Sequence, residues 1–362
     1  VNILHVIDVI SQTHGGGSAR VAWHLAKEQA VLGHQVALYS TDYQASQKDA
    51  PPGVEMRLFP SFCLIQTGYR VAPGMLLAGF RKADIVHLHN YRTVPNLMAS
   101  LWHKPFVIQA DGSALPIPAP RHWYSQWWKQ GNDVVWRNVL VKRARRLIAC
   151  NPYEIAQYLA EGAPKARCVQ TDLGIDVAEF TDIPARSRQD KTILFVGRFH
   201  YHKGPDLLVR AFARLNMPDV TLVLAGWDNG YLAETRRVVE ECGVAGRVEF
   251  PGYVQGRQLR QLYADADLYV LPSRYEAYGL CIQEACACGT PVLVSRQCAI
   301  ADRIPEYCGR AVCLNEHAMA RAMQEMLTEP DNRRAERIAW ARGFGWDRIA
   351  RDLVKMYEEV LR

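Results

Sequence analysis

The sequence predicts an α/β protein built as two doubly wound, Rossmann-like domains that face each other across a cleft. Three observations carry this expectation. First, 362 residues exceed one ordinary core and suit two. Second, short Val/Ile/Leu-rich runs alternate with longer helical patterns in two successive series. Third, the polar stretch "FTDIPARSRQDK", Phe180 to Lys191, separates the series and reads as a linker. The expected domains are therefore 1–180 and 181–345, followed by a helical tail from about 346 to 362.

The first series is "ILHVIDVI", "QVALYS", "VEMRLFP", "DIVHLHN", "PFVIQAD" and "RLIACN". The second is "TILFVGR", "TLVLAG", "VEFPGYV", "DLYVLPS", "PVLVS" and "AVCL". Most are apolar without strict alternation, which fits strands covered on both faces of a parallel sheet. The tail "GFGWDRIARDLVKMYEEVLR" has helical periodicity, and its pattern alone allows packing on either domain.

Composition excludes several classes. Hydrophobic residues are 49% and charged residues 22%, an ordinary globular balance. No apolar run approaches the roughly 18 residues of a membrane span. The opening run "VNILHVIDVI" reads as a strand rather than a signal peptide. Cys150, Cys281, Cys286 and Cys313 sit in apolar runs, which suggests buried thiols in a reducing compartment, the cytoplasm. Cys286 and Cys288 lack a second cysteine pair and read as core residues, not zinc ligands.

The charge is local. Residues 1–180 carry 18 Lys and Arg against 13 Asp and Glu, and residues 181–362 carry 25 against 24. Seven of the basic residues fall in 121–146, with Asp133 the one acid there. Trp123, Trp127, Trp128 and Trp136 lie in the same segment. From Trp136 onward, Trp136, Leu140, Ala144 and Leu147 are expected near one helix face. Arg137, Lys142, Arg143, Arg145 and Arg146 fall largely elsewhere. Cations beside aromatics suit an anionic membrane surface; a core-packed helix with a solvated basic side explains the pattern equally well. The nearly neutral second half argues against nucleic acid.

In doubly wound sheets, ligands bind beyond the carboxyl ends of the strands. After the first strand, Gly15, Gly16 and Gly17 precede a helix expected near Ser18. They suit a phosphate or sugar hydroxyl, or a plain tight turn, and lack dinucleotide spacing. After the seventh strand, "GRFHYHKGPDLL" places Arg198 and Lys203 beside glycines, which suits an anionic ligand. His200 and His202 read as loop polarity. In "SRYEAYGLCIQEACACGTPV" a helix is expected from about Tyr278–Gly279 to Cys288, its free N–H groups turned toward the same anion. Glu276 precedes that helix and Glu284 lies within it. Were all the intervening steps helical, the carboxylates would stand about 12 Å apart along the axis. Pairs that hydrolyse glycosides stand about 5–9.5 Å apart. The spacing favours two holding roles over a cutting pair.

These motifs resemble the retaining nucleotide-sugar glycosyltransferases of family four, which have the GT-B fold. The resemblance is carried by "ILFVGRFHYHKGPDLLVRAF", "LVLAG", "VEFPGYV" and "LPSRYEAYGLCIQEACACGTPVLVS". "GGGSARVAWHLAKEQAVLGHQVALYS", "ADIVHLHN" and "NPYEIAQYLAEGAP…DLGIDVAEF" match its first half. It implies an acceptor-binding first domain, a donor-binding second domain, and a last helix that crosses back to the first. It also implies roles. Arg198 and Lys203 would bind the donor diphosphate. Glu276 would contact hydroxyls of the transferred sugar, and Glu284 those of the ribose. Backbone N–H groups around Tyr278, Gly279 and Leu280 would meet sugar and phosphates, and Gly16 and Gly17 would lie across the cleft. The base of a UDP- or GDP-sugar would sit near Gly252, Tyr253 and Val254. No metal and no cofactor is expected, since cations and helix dipoles neutralise the leaving diphosphate.

One position departs from the family. Related sequences commonly read "AHG" where this one reads "QADGSALP", so Asp111 stands in place of a histidine near the transferred sugar. An ionised Asp111 would be repelled by a diphosphate unless compensated. Asp111 thus reads as a residue that recognises a different hydroxyl pattern, as a turn residue, or as the mark of weak activity. The expected activity is hexose transfer to a hydroxyl of a glycan or lipid-linked acceptor, in the cytoplasm or peripherally on the inner membrane face. A GT-B-type epimerase and a nucleotide-sugar-binding subunit are the alternatives.

Overall fold

The computed structural model describes residues 1–10, 16–63, 70–80, 83–111, 134–181, 183–184 and 190–362. The chain divides into two compact units, Val1–Gly174 with Trp346–Arg362, and Ile175–Gly345.

The first unit contains strands β1 (Asn2–Val6), β2 (Gln35–Thr41), β3 (Glu55–Phe59), a small antiparallel pair β4 (Phe62–Cys63) and β5 (Arg70–Val71), then β6 (Ile85–His89), β7 (Phe106–Gln109), β8 (Arg146–Ala149) and β9 (Cys168–Gln170). Its main sheet runs β3-β2-β1-β6-β7-β8-β9, with every pairing parallel. All five residues of β6 are buried, which is why "IVHLH" does not alternate. Helices α1 (Gly16–Val31), α2 (Val94–Ser100) and α3 (Pro152–Ala160) follow β1, β6 and β8. Asn151 caps α3 by accepting from the Glu154 N–H at 2.9 Å, and Glu154 accepts in return from the Cys150 N–H at 2.8 Å.

The second unit contains β10 (Lys191–Val196), β11 (Val220–Ala225), β12 (Val248–Gly252), β13 (Leu268–Leu271), β14 (Val292–Ser295) and β15 (Gly309–Val312), all parallel, in the order β12-β11-β10-β13-β14-β15. Its helices are α4 (Val177–Phe180), α5 (Pro205–Phe212), α6 (Leu232–Glu241), α7 (Gly256–Asp265), α8 (Leu280–Ala287), α9 (Glu316–Thr328) and α10 (Arg334–Arg342). The final helix α11 (Trp346–Leu361) packs against α1 in the first unit.

Each sheet reverses its direction of winding at one place, between β1 and β6 and between β10 and β13. Loops leaving a sheet at such a point diverge and open a crevice. Arg198, Lys203 and Glu276 of the second unit and Gly16 and Gly17 of the first follow strands that border such a point.

Several expectations differ from the structure. The division falls at Gly174/Ile175, not within Phe180–Lys191. Ile175 bridges to Gly345, and Phe180 is buried beside the Tyr263 ring, so Ile175–Phe180 is held in the second unit. The basic helix around Trp136 does not continue to Leu147. A single π-helical turn, Arg137–Val141, gives way to β8 at Arg146, so Leu147 lies on a strand. Trp136, Leu140, Ala144 and Leu147 are buried, while Arg137, Lys142, Arg143 and Arg145 are exposed. Trp123, Trp127, Trp128, Gly15 and half of the polar break lie outside the described residues. Cys150, Cys286 and Cys288 are buried, but Cys281 is half-buried and Cys313 exposed, because "AVCL" carries Cys313 past the end of β15.

Candidate functional site

In the second unit, β10 ends at Val196 and β13 at Leu271, adjacent strands at the winding reversal. The β10 loop carries Arg198 and Lys203, and the β13 loop carries Glu276 and leads into α8. Lys203 forms an ion pair with Glu276, and the two side chains are 14% and 11% exposed. Burial alone would pull the Lys203 pKa down, but Glu276 outweighs it and holds the ammonium above its ordinary value. Lys203 is therefore a permanent cation. Arg198 is exposed and makes no hydrogen bond or ion pair among the described residues, so it is available to an anion. His200 and His202 form no metal pair. His200 accepts from the His202 N–H at 3.2 Å and caps a single 3-10 turn, Tyr201–Lys203. Burial, then Lys203, lowers His202 to about 4.

A second ion pair, not anticipated from the sequence, fastens the two loops together. Arg274 donates to Asp206 through two parallel bonds of 2.8 and 2.6 Å, and to the Tyr201 carbonyl at 2.7 Å. Its own N–H donates to the His202 carbonyl at 2.7 Å. This fork fixes the loop of Lys203 against the loop of Glu276. The residues are visible in "KGPD" and "PSRYE", but their pairing across the sheet is not.

Helix α8 begins at Leu280 after Gly279, whose φ of 86° is left-handed. Among the described residues no side chain caps α8, and no acid lies in its first turn, so its positive end suits an anion. A Cβ on Gly279 would lie 3.0 Å from Ile282 Cδ1 and 3.3 Å from Glu276 Cγ. Glu276 itself is not helical. It bridges to Cys298, so the carboxylates are not eight helical steps apart. Glu284 is 4% exposed, and the Tyr263 hydroxyl donates to it at 3.0 Å. It is thus an oriented buried acceptor, not a solvated helix residue. Tyr278 is buried, and its hydroxyl accepts from the Gln283 amide at 2.9 Å.

The ends of β10, β11 and β12 carry Gly197, Gly226 and Gly252. The Gly226 N–H donates to the Gly252 carbonyl at 2.8 Å, and a Cβ on Gly226 would lie 1.8 Å from the Gly197 oxygen. Only glycine permits that approach. Beside it, Gly252 and Tyr253 are exposed, whereas the Val254 side chain is buried, so Val254 offers a base its backbone only.

In the first unit, Gly16 opens α1, two residues before the expected start, and Gly17 is exposed with open space where a Cβ would go. The strand ends at the winding reversal carry Asp8 after β1, His89 and Asn90 at the end of β6, and Asp111 after β7. Asn90 donates to Asp8 at 2.8 Å, and His89 Nδ1 meets Asp111 Oδ2 at 3.0 Å. Asp111 adopts a left-handed φ of 51°, consistent with its Asp-Gly turn. Its side chain is 1% exposed, and burial pushes its pKa well above the ordinary carboxylate range. Burial thus favours the protonated carboxyl over the ionised one.

His5, His87 and His89 also gather here, each with a ring nitrogen within 4.8 Å of the others. The His87 and His89 rings stack at 4.2 Å and 13°, so their lone pairs run side by side instead of converging on one ion. The short His5–His89 contact of 2.9 Å is a hydrogen bond. This cluster went unread in the sequence, where "ILHV" and "HLH" look like strand alone.

Comparison with known proteins returns two family matches, "Glycosyltransferase Family 4" over residues 15–179 and "Glycosyl transferases group 1" over residues 176–342. A D-inositol 3-phosphate glycosyltransferase of Salinispora tropica is 31% identical, covering 96% of this chain and 81% of its own. A glycogen synthase of Mycobacterium tuberculosis is 26% identical, covering 94% and 91%. Among solved structures, Anabaena HepE in complex with UDP and glucose superposes with a TM-score of 0.80 over 99% of both chains, at 18% identity. Sucrose-phosphate synthase of Thermosynechococcus elongatus gives 0.74 over 99% and 98%, at 22% identity.

Proposed function

The chain belongs to glycosyltransferase family four, the group 1 enzymes of GT-B fold, and from that premise we propose that it moves a hexose from a nucleotide diphosphate sugar to a hydroxyl of a glycan or lipid-linked acceptor, with retention at the anomeric carbon. The carrying observation is the juxtaposition of Lys203, Glu276 and the uncapped start of α8 at the ends of β10 and β13. An anion there meets a permanent cation and a helix dipole together. The UDP and glucose bound to HepE, and the inositol phosphate named for the Salinispora relative, make a nucleotide sugar and a hydroxylated acceptor the substrates to test first.

On this reading Lys203, Arg198 and the α8 amides take up the charge that grows on the leaving diphosphate, so no metal is required. Glu276 accepts from hydroxyls of the transferred sugar. Glu284, its rotamer fixed by Tyr263, accepts from the ribose. Gly252 and Tyr253 border the base, and Asp111 acts on the transferred sugar. The acceptor oxygen attacks on the face the diphosphate leaves, which preserves configuration.

A thermal-shift panel of nucleotide sugars, followed by NMR of the product's anomeric coupling, tests this. Failure of every nucleotide sugar to stabilise the protein, or an inverted product, refutes it. Isomerised sugar without transfer would indicate an epimerase, and binding without turnover a binding subunit.

The exposed Arg137, Lys142, Arg143 and Arg145 stand near exposed Val134 and Val135, a pairing suited to an anionic membrane surface. No helix among the described residues is long and apolar enough to cross a membrane. The proposal places the protein in the cytoplasm, peripheral to the inner face. Equal sedimentation with anionic and neutral vesicles would remove the membrane part.

A further inference from the structure

Six side chains of the first unit form one continuous hydrogen-bonded chain that ends on Asp111. Asp111 Oδ2 meets His89 Nδ1 at 3.0 Å, and His89 Nε2 meets His5 Nδ1 at 2.9 Å. His5 Nε2 meets Gln29 Oε1 at 2.7 Å, and Gln29 Nε2 meets the Tyr357 hydroxyl at 3.3 Å. That hydroxyl meets His87 Nδ1 at 2.5 Å. The Asp111 side chain is 1% exposed, and the other five residues are fully buried. Bulk solvent therefore does not reach the chain.

Imidazoles and hydroxyls can run such a chain in either direction. The Gln29 amide cannot, because Oε1 only accepts and Nε2 only donates. His5 must then donate through Nε2. As a neutral ring, it accepts at Nδ1. His89 in turn donates through Nε2 and accepts at Nδ1. The donor left for the last link is a protonated carboxyl on Asp111. In the other direction, Gln29 donates to Tyr357, Tyr357 donates to His87 Nδ1, and His87 carries its proton on Nε2. That nitrogen lies outside the six-member chain, with the Gln109 side chain beside His87.

We propose that Gln29 on α1 is a positioning residue that fixes the direction of this chain and so holds Asp111 as a neutral, hydrogen-bond-donating acid. The electrostatics agree. Burial lowers His5 and His89 to about 3, keeping both rings neutral, and raises Asp111. Among the described residues, the groups that face Asp111 are His89 and the Asn90 N–H from the end of β6, Gln109 from β7, Cys150 after β8 and Tyr158 from α3, with Glu154 beside Cys150. None of these is a cation. Gln109 and the Asn90 N–H favour the ionised carboxyl, but burial outweighs them. Ionising Asp111 reverses every link as far as Tyr357 and forces the Gln29 amide to turn over. The protonation of Asp111 is thereby tied to α1 and, through Tyr357, to α11.

The chain itself stands on its hydrogen bonds; its effect on turnover rests on the reading of Asp111 as a group that acts on the transferred sugar. Full-length protein labelled with 15N-histidine, observed through long-range proton–nitrogen couplings at pH 7, reads the tautomers without substrate. His5, His87 and His89 are expected as neutral Nε2–H rings. A neutral Nδ1–H ring or an imidazolium at His89 overturns the proposal. In Gln29→Met, His89 is expected to change to Nδ1–H, and the limb of the kcat/KM profile that vanishes in Asp111→Asn to move about one unit toward acid. Unchanged tautomers in that variant overturn the role of Gln29. Altered tautomers with an unmoved profile support the chain and refute instead the part of Asp111 in turnover. If Gln29→Met does not fold, the unmodified protein's spectrum still decides the direction.

Discussion

Replacing Lys203 with methionine removes the buried cation but keeps the length of the stem. Lys203 and Glu276 are 14% and 11% exposed, so bulk water does not screen them and an effective dielectric of about 20 applies. An ammonium about 5 Å from one phosphate charge is then worth about 3 kcal/mol. At 1.4 kcal/mol per tenfold, Lys203→Met is expected to weaken nucleoside diphosphate binding by about 10²-fold. Binding of the matching nucleoside, which lacks the charge, should be nearly unchanged. The substitution also leaves Glu276 without its partner, so Glu276→Gln placed on top should cost less than it does alone. A coupling of about 1–3 kcal/mol is expected for two groups in direct contact. Calorimetric titration of the four proteins with nucleoside diphosphate and nucleoside measures both terms. A loss below about threefold, or an equal loss for the nucleoside, would show that Lys203 supports the loop without meeting the diphosphate.

Gly279→Ala puts a Cβ at a φ of 86°, 3.0 Å from Ile282 Cδ1 and 3.3 Å from Glu276 Cγ. The left-handed backbone alone costs about 1–2 kcal/mol, and displacement of Glu276 should weaken donor binding beyond any fall in Tm. A variant with wild-type donor affinity would show that the start of α8 is not the contact. Stability should also fall with acid. His5, His24 and His89 are lowered to about 3, chiefly by burial, so their contribution is complete above the unfolded value of 6.5 and declines as pH falls through the window from 6.5 to 3. Each loses about 1.4 kcal/mol per pH unit, so the three together lose about 6 kcal/mol by pH 5. Asp111 has the opposite sign, since its raised pKa favours the folded state as pH falls toward the ordinary carboxylate value, and it offsets part of this loss. Urea midpoints that stay level between pH 7 and 5 would contradict the burial of these rings. His24→Gln should make the decline shallower without abolishing it, since the other lowered histidines, His87 and His202 among them, titrate in the same window.

How much of this was legible depended on how far apart the partners lie. The central strands were readable because each is a short run buried on both faces, a local property. The start of α8 was readable because Gly279 and the apolar "LCIQEACA" mark it on the spot. Lys203 and Glu276 could be singled out by residue type and neighbourhood, yet nothing local showed that they pair with each other. The same limit hid Arg274 and Asp206, which meet only after β10 and β13 become neighbours. Glu284 was legible as an awkward carboxylate among apolar residues, while its hydroxyl partner Tyr263 lies on another helix.

Asp111 shows the sharpest version of this limit. As an isolated letter it predicts a negative charge, and from that charge follows a conflict with any diphosphate. The sign of the conclusion turns on burial and on five side chains drawn from β1, β6, α1 and α11, the last of them 246 positions away at Tyr357. A carboxyl's charge is a property of its surroundings as much as of its pKa in water. Here those surroundings are made by strand order: β1 lies beside β6 and β6 beside β7, which puts His5, His89 and Asp111 in line at one end of the sheet. The fold decides which residues share that line, and the line in turn decides whether Asp111 carries a charge or donates a hydrogen bond.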